Sequence, residues 1–139
     1  WVGNGPLEER VKTYIEEKKL TKYIKLLGSR NDTVELYQGM DAFFLPSFFE
    51  GLPVTGVEAQ AMGLSMVVSD TVTREMVYTD LVDYVSLNDT PEAWASRLEI
   101  ALRKNAKREQ YADRLKLSNF SNIGCGNRLE QVYCWWING

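Results

Sequence analysis

The sequence contains no histidine, only two cysteines and no long hydrophobic run. The absence of histidine removes the commonest general base of enzymes. Cys125 and Cys134 lie nine residues apart without further metal-type ligands clustered near them, so the sequence predicts neither a zinc site nor a catalytic cysteine. If both cysteines lie on one helix, that spacing places their sulfur atoms on opposite sides, and we expect two reduced thiols.

The charge is mixed along the chain, because 16 lysines and arginines stand against 19 aspartates and glutamates, for a formal net charge of −3. There is no basic face for nucleic acid and no polybasic anchor for lipid. No apolar run approaches the roughly 20 residues of a membrane helix, and nothing resembles a signal peptide. We expect a cytoplasmic protein. Any peripheral association with the inner face of the membrane is expected only through regions outside this sequence.

The length of 139 residues, of which 45% are hydrophobic, suits one domain with a real core. Trp1 and Val2 lead at once into Gly3-Asn4-Gly5-Pro6, which predicts that the chain begins in the last residues of a strand. We therefore expect a single domain over residues 1–139, truncated at its N-terminus, with a helical tail over residues 117–139.

Hydrophobic periodicity and the positions of proline and glycine predict alternating helices and strands. The predicted strands are Tyr23 to Leu27, Ala42 to Leu45, Ser65 to Val68 and Val82 to Leu87. Two predicted helices run from Pro6 to about Lys19 and from Pro53 to near Gly63. Two more are predicted from their starts: one is capped by Asp32, with Glu35 three residues later, and one is capped by Thr90. In the last of these helices, Trp94 is expected to lie in the core. The basic run Arg103 to Arg108 is interpreted as a solvated helix end, and Trp135, Trp136 and Ile137 as partly exposed or folded onto their own domain.

One strand, turn and helix organises the chain, and it carries Glu50 in the turn and Glu58 eight positions further on. Ligands of open α/β sheets collect beyond the carboxyl ends of the strands, where helix amino termini present free N–H groups to anions. Free amides over residues 51–56 suit a phosphate, and a carboxylate further along the helix suits neutral hydroxyls. This combination indicates a nucleotide sugar.

The same segment, with Pro46-Ser47 before it and the Glu-Ala-x-Ala-x-Gly pattern that starts at Glu58, resembles the signature of retaining glycosyltransferases of the GT-B fold, family four. Val2 to Leu7 and Ile24 to Asp32 fit the same family in the same order. The resemblance covers the chain to about Leu102. It implies the carboxyl-terminal, donor-binding domain of such an enzyme, with a Rossmann-like parallel α/β sheet flanked by helices and its first strand-helix unit missing.

By this resemblance, Glu50 is the catalytic residue that faces the donor sugar, and Glu58 binds the ribose hydroxyls. The amides of Gly51, Leu52 and Thr55 approach the diphosphate. The loop formed by Gly28, Ser29 and Arg30 lies near the nucleotide base, although a plain surface turn is an equally good interpretation of those residues. The family uses no bound metal and no cofactor, so a nucleotide diphosphate sugar is the expected ligand.

Two departures from the family pattern matter. Val72 and Thr73 stand where glycines are common and Arg74 stands where proline is, and a solvated arginine is the better interpretation of Arg74. The family's Gly-Arg…Lys-Gly stretch and its N-terminal acceptor domain are absent from this sequence. We expect the chain alone to bind a nucleotide weakly and to transfer no sugar.

The substituted loop resembles glycosyltransferases of bacterial capsule and exopolysaccharide assembly. Two alternatives remain open on the sequence. The first is a GT-B-like nucleotide-sugar epimerase, which shares the same cleft. The second is a non-catalytic Rossmann-like interaction module.

Overall fold

The computed structural model describes residues 1–104 and 108–138, with the side chains of these residues except 132, 133 and 135–138. The predictions for Trp135, Trp136 and Ile137 therefore concern side chains outside the described residues. The helices are α1 Glu8–Glu17, α2 Thr33–Gly39, α3 Val54–Ala61, α4 Pro91–Arg103, α5 Glu109–Leu117 and α6 Asn122–Asn138. The strands are β1 Ala42–Leu45, β2 Ser65–Ser69 and β3 Val82–Val85, and a short 3-10 turn covers Arg74–Met76.

The chain divides into two compact units, residues 1–36 and residues 37–139. In the first unit, α1 buries Ile15 and ends at Glu17, and Lys19, just after the helix, has a left-handed φ of 55°. The expectation of a single truncated domain stays a prediction.

The predicted strand from Tyr23 to Leu27 is wrong. Tyr23 lies in a turn, where its amide donates to the carbonyl of Leu20 at 2.9 Å. Only the end of the segment is extended, and it runs in the same direction as the start of the chain: Leu27 N donates to Trp1 O at 2.9 Å and Trp1 N donates to Lys25 O at 2.9 Å. This hydrogen-bonded ladder is too short for the segment to form a β-strand.

The second unit contains a three-stranded sheet in the order β1-β2-β3, and all of its strands are parallel. The central strand β2 is buried at every position. Because side chains alternate between the faces of a strand, Met66 and Val68 join the core cluster that includes Ala59 of α3, whereas Val67 joins the cluster that includes Trp94 of α4. The predicted fold class, a Rossmann-like parallel sheet flanked by helices, is confirmed.

The helix after β3 starts as the sequence predicts. The Thr90 side chain accepts a hydrogen bond from Ala93 N, and Pro91 is the first helical residue. Trp94 is buried, packs edge-on against Phe44 and donates through its indole N–H to Ser86 O at 3.1 Å. The core assignment of Trp94 is therefore confirmed.

The interpretation of residues 103–108 as a solvated helix end is wrong at Arg108. Arg108 is half-buried, and its guanidinium donates to the carbonyls of Gln38 and Met40 at the end of α2. Its Cα lies only 2.7 Å from the position that a Cβ on Gly63 would occupy. Residues 105–107 of the run lie outside the described residues.

The two cysteines both lie on α6, as the sequence analysis supposed, and no disulfide joins them. Within the described residues, no helix has the combination of length and apolar character that crossing a bilayer requires.

Candidate functional site

The loop after β1 is held in place by the end of β2. Pro46 ends the strand, and the next residue, Ser47, accepts hydrogen bonds through its backbone carbonyl from Ser69 Oγ and from Thr71 Oγ1, the latter at 2.9 Å. Ser69 is the last residue of β2 and is fully buried. The carboxyl ends of two adjacent parallel strands therefore share one anchored rim, which is where α/β proteins place ligands.

Glu50 lies within this loop and is oriented by it. Its Oε1 accepts a hydrogen bond from Ser47 Oγ at 2.7 Å, and the residue is half-buried. Ser47 thus links Glu50 to the end of β2, because its carbonyl accepts a hydrogen bond from Ser69 and its hydroxyl donates one to the Glu50 carboxylate. The two rings that precede Glu50, those of Phe48 and Phe49, are exposed by 84% and 83%.

The amino terminus of α3 has no side-chain cap. Its N-cap residue is Pro53, which has an extended conformation and whose side chain accepts no hydrogen bond from the backbone amides of the first turn. In the part of the chain that the structure describes, the amides of Gly51, Leu52 and Thr55 have no hydrogen-bond acceptor, and all three residues are exposed. Orphan amides at a helix start carry partial positive charge and favour an anion.

The position of α3 depends on a close approach at Gly56. A Cβ at this position would lie 2.7 Å from Met76 Sδ and 3.4 Å from Met66 Cε, both from fully buried side chains. The absence of a side chain lets the first turn of α3 pack directly on the sheet and on the segment after β2.

Glu58 lies on the exposed side of α3, and its partner was not predicted from the sequence. Its Oε2 accepts a hydrogen bond from the Tyr37 hydroxyl at 3.0 Å, and the same hydroxyl lies 3.4 Å from Thr55 O. Burial, and then the hydrogen bond and charge of Glu58, raise the pKa of Tyr37 far above its ordinary value. Tyr37 therefore stays protonated and remains a donor at neutral pH.

Gln60 is a second residue that the sequence analysis missed. It is fully buried on α3, and its amide nitrogen donates to Gly56 O at 3.1 Å and to Met76 O at 2.9 Å. Its amide oxygen accepts from Tyr78 N at 3.2 Å and from Thr79 Oγ1 at 2.9 Å. One side chain thus ties the crossover between β2 and β3 to the helix that carries Glu58.

Arg74, in the 3-10 turn after β2, stacks on a ring. Its guanidinium carbon lies 4.2 Å from the centroid of the Tyr84 ring, and the Tyr84 hydroxyl donates to Thr73 O at 3.2 Å. Arg74 is exposed, so the prediction of a solvated arginine holds, with the ring contact as an addition.

The predicted site residues fall into both units. Gly28, Ser29 and Arg30 lie in the first unit, and Glu50, Gly51, Leu52, Thr55 and Glu58 lie in the second. Gly28 has a left-handed φ of 62°, and the Arg30 Nε donates to Asp32 Oδ1 at 2.7 Å. The Asp32 carboxylate binds this arginine instead of forming the predicted helix cap, and the hydrogen bond from Arg30 lowers the pKa of Asp32.

The sequence matches the model of one known protein family. The family model described as "Glycosyl transferases group 1" matches residues 1–117. EpsF of Bacillus subtilis (strain 168), named as a glycosyltransferase, is 32% identical over 110 residues, which cover 78% of this chain and 29% of that protein. A UDP-Gal:alpha-D-GlcNAc-diphosphoundecaprenol alpha-1,3-galactosyltransferase of Escherichia coli is 41% identical over 70 residues, which cover 50% of this chain and 18% of that protein.

Two solved structures show the same fold. The crystal structure of WaaG, a glycosyltransferase involved in lipopolysaccharide biosynthesis, matches with a TM-score of 0.69 at 16% identity, over 91% of this chain and 35% of that one. A crystal structure of the GtfA/B complex matches with a TM-score of 0.68 at 23% identity, over 94% of this chain and 28% of that one. The chain thus spans about a third or less of the length of the proteins it matches.

Proposed function

Because the chain belongs to the glycosyl transferases group 1 family, we propose that it forms the donor-binding part of a retaining glycosyltransferase that uses a nucleotide diphosphate sugar. Relatives of this chain are named for bacterial polysaccharide biosynthesis, for example an amylovoran biosynthesis glycosyltransferase of Erwinia amylovora. The complete protein would then serve capsule or exopolysaccharide assembly from the cytoplasmic side of the membrane, with its acceptor site in an N-terminal domain.

This proposal is supported by the uncapped start of α3. The loop before this start and the helix after it each carry one hydrogen-bonded carboxylate. The free amides of Gly51, Leu52 and Thr55 suit the oxygen atoms of a diphosphate. A carboxylate accepts hydrogen bonds only, so Glu50 and Glu58 suit the hydroxyls of the sugar and of the ribose. The site therefore has donors for the anionic part of the ligand and acceptors for its neutral parts.

The chemistry asked of these groups is chiefly electrostatic. In glycosyl transfer the bond from the anomeric carbon to the diphosphate breaks while the bond to the acceptor oxygen forms, and the proton of the acceptor hydroxyl passes to the departing diphosphate. Charge develops on both the sugar and the diphosphate as the bonds change. The amides stabilise the diphosphate, and Glu50, held by Ser47, stands toward the positively charged sugar. Gly28, Ser29 and Arg30 are proposed to contact the base.

The binding proposal is tested by calorimetry of the chain with uridine, guanosine and adenosine diphosphates. We expect one of them to bind weakly, and Glu58→Ala to weaken it by about tenfold or more, because hydrogen bonds to a charged group are worth about 1.5–3 kcal/mol. Glu99→Ala, on the exposed surface of α4, is the matched control and should leave binding unchanged. Absence of heat with all three, in the chain and in the complete protein, would favour a non-catalytic interaction module.

The activity proposal has a separate test. The chain alone is proposed to transfer no sugar, because it spans 29% or less of the curated relatives reported above. Release of labelled sugar onto an acceptor by this chain would contradict that. If the complete protein converted the donor into its epimer, the proposed activity would be that of an epimerase and not of a transferase.

A further inference from the structure

Tyr37 belongs to the core at one end and to the candidate site at the other. Its side chain is only 5% exposed, and its ring packs at 6.0 Å between centroids against that of Phe43 in β1. The hydroxyl nevertheless reaches the surface carboxylate of Glu58, 21 residues later in the chain. An interior side chain thus hydrogen-bonds an exposed one.

The single proton of this hydroxyl goes to Glu58. The two acceptors within reach are Glu58 Oε2 at 3.0 Å and Thr55 O at 3.4 Å. The carboxylate is both nearer and negatively charged, and a charge-assisted hydrogen bond is about twice as strong as a neutral one. Thr55 O also lies within α3, where the helix's own N–H groups compete for it.

This hydrogen bond fixes a side chain that would otherwise sample several rotamers. An exposed glutamate has three rotatable bonds, and ordering it on ligand binding lowers the affinity. Among the described residues, Glu58 Oε2 accepts only from Tyr37, and Oε1 accepts from none. The carboxylate is therefore held by one oxygen while the other is open to hydroxyl donors.

We infer that Tyr37 is a positioning residue that orients Glu58 toward the ribose of the donor nucleotide and so makes the site selective for ribose over 2′-deoxyribose. The inference rests on the proposed function, in which Glu58 accepts hydrogen bonds from the ribose hydroxyls. A carboxylate fixed at one oxygen offers the other in one direction, which suits the paired 2′ and 3′ hydroxyls. A mobile carboxylate adapts to one hydroxyl nearly as well as to two.

The test compares Tyr37→Phe with Tyr78→Phe. Tyr78 is the matched control, because its hydroxyl also hydrogen-bonds α3, at Val57 O at 2.9 Å, but does not reach Glu58. Calorimetry measures the Kd of UDP and of 2′-deoxy-UDP, and of the corresponding guanosine and adenosine pairs. We expect Tyr37→Phe to weaken the ribonucleotide about threefold to tenfold, the range for losing one preorganised side chain. The deoxynucleotide should change little, so the ratio of the two Kd values falls toward one. Tyr78→Phe should leave that ratio as in the wild type.

A structural role alone lowers both affinities together and leaves the ratio unchanged, so an unchanged ratio in Tyr37→Phe overturns the inference while the donor-binding proposal stands. If no nucleotide binds the wild type, the proposed function fails and this inference fails with it.

A second measurement needs no variant. With ¹³C at the ring Cζ, the nuclear magnetic resonance signal of Tyr37 should shift on saturation with UDP, or with whichever ribonucleotide binds, and should shift less with its 2′-deoxy form. Equal shifts with the two nucleotides would also overturn the inference, even if Tyr37→Phe failed to fold.

Discussion

Ser65 and Ser69 stand at the two ends of the same buried strand, yet only one of their hydroxyls is hydrogen-bonded. Ser69 Oγ donates to Ser47 O in the loop after β1 and lies 3.0 Å from Thr71 Oγ1. Ser65 is 3% exposed, and its Oγ has no partner among the described residues. The satisfied hydroxyl lies at the carboxyl end of β2, beside the candidate site, and the unsatisfied one lies at the opposite end.

Alanine substitutions at these two serines should therefore have different effects on stability. Ser69→Ala removes a buried hydrogen bond and should lower the free energy of unfolding by about 1 kcal/mol. Ser65→Ala removes a buried hydroxyl that has no partner and should leave that free energy unchanged or raise it by up to about 1 kcal/mol. Urea unfolding of both variants measures the difference, and an equal loss in both would contradict the assignment of partners.

The close approach at Gly56 gives a second prediction about stability. Gly56→Ala gains helix propensity of about 1 kcal/mol. It also drives a methyl group into the space of the buried Met76 sulfur, and overpacking of this kind costs about 1–3 kcal/mol. We expect a net loss of about 1 kcal/mol, with the thermal unfolding temperature as the measurement.

The control for this prediction is Gly39→Ala at the end of α2, where a Cβ meets no atom within 4 Å. That variant should be neutral or slightly more stable. A Gly56→Ala protein as stable as Gly39→Ala would show that Met76 moves aside without loss.

Substitution of the buried Gln60 should destabilise the protein more than substitution of Gly56. Gln60→Leu keeps the volume but leaves Met76 O and Tyr78 N without their partner, and each buried unsatisfied group costs about 1–3 kcal/mol. We expect a loss of about 3 kcal/mol or more in urea unfolding. Gln38→Leu, at an exposed position of α2, is the matched control and should change the free energy by less than about 0.5 kcal/mol. Similar losses in the two variants would contradict the network around Gln60.

The sheet and its flanking helices could be predicted because their signals are local. The apolar run Ala42–Leu45 closed by Pro46, the helix that ends before Gly63, and the Thr90-Pro91 start of α4 all occur where the sequence indicates them. Each depends on neighbouring residues only, such as a proline that cannot donate or a glycine that accepts a φ of 68°.

Several contacts could not be predicted, because they join residues that are distant in the sequence. Tyr37 reaches Glu58 across 21 positions, Gln60 reaches Met76 across 16, and Arg108 reaches Gln38 across 70. Tyr37 and Gln60 look in sequence like ordinary members of their helices. The carboxylates were found from their motif, whereas Tyr37, which hydrogen-bonds Glu58, was found only in the three-dimensional structure.

Tyr78 gives the final prediction, a loss of stability at alkaline pH. Burial raises the pKa of Tyr78 to about 12, from an ordinary value of 10.0. The native state therefore holds this proton more tightly than the unfolded state does. Below pH 10.0 the tyrosine is protonated in both states, so its contribution is fully present; between pH 10.0 and about 12 the unfolded state loses the proton first, and the free energy of unfolding falls.

Comparison with Tyr78→Phe isolates this contribution from that of the other groups that titrate at alkaline pH. At neutral pH the wild type should be more stable than Tyr78→Phe by about 1 kcal/mol, because its hydroxyl donates to Val57 O. That difference should shrink steadily as the pH rises above 10.0, because phenylalanine has no proton to lose. Urea unfolding of both proteins across this range measures the difference. A difference that stays constant up to about pH 12 would contradict the raised pKa of Tyr78, because the native state would then hold this proton no more tightly than the unfolded state does.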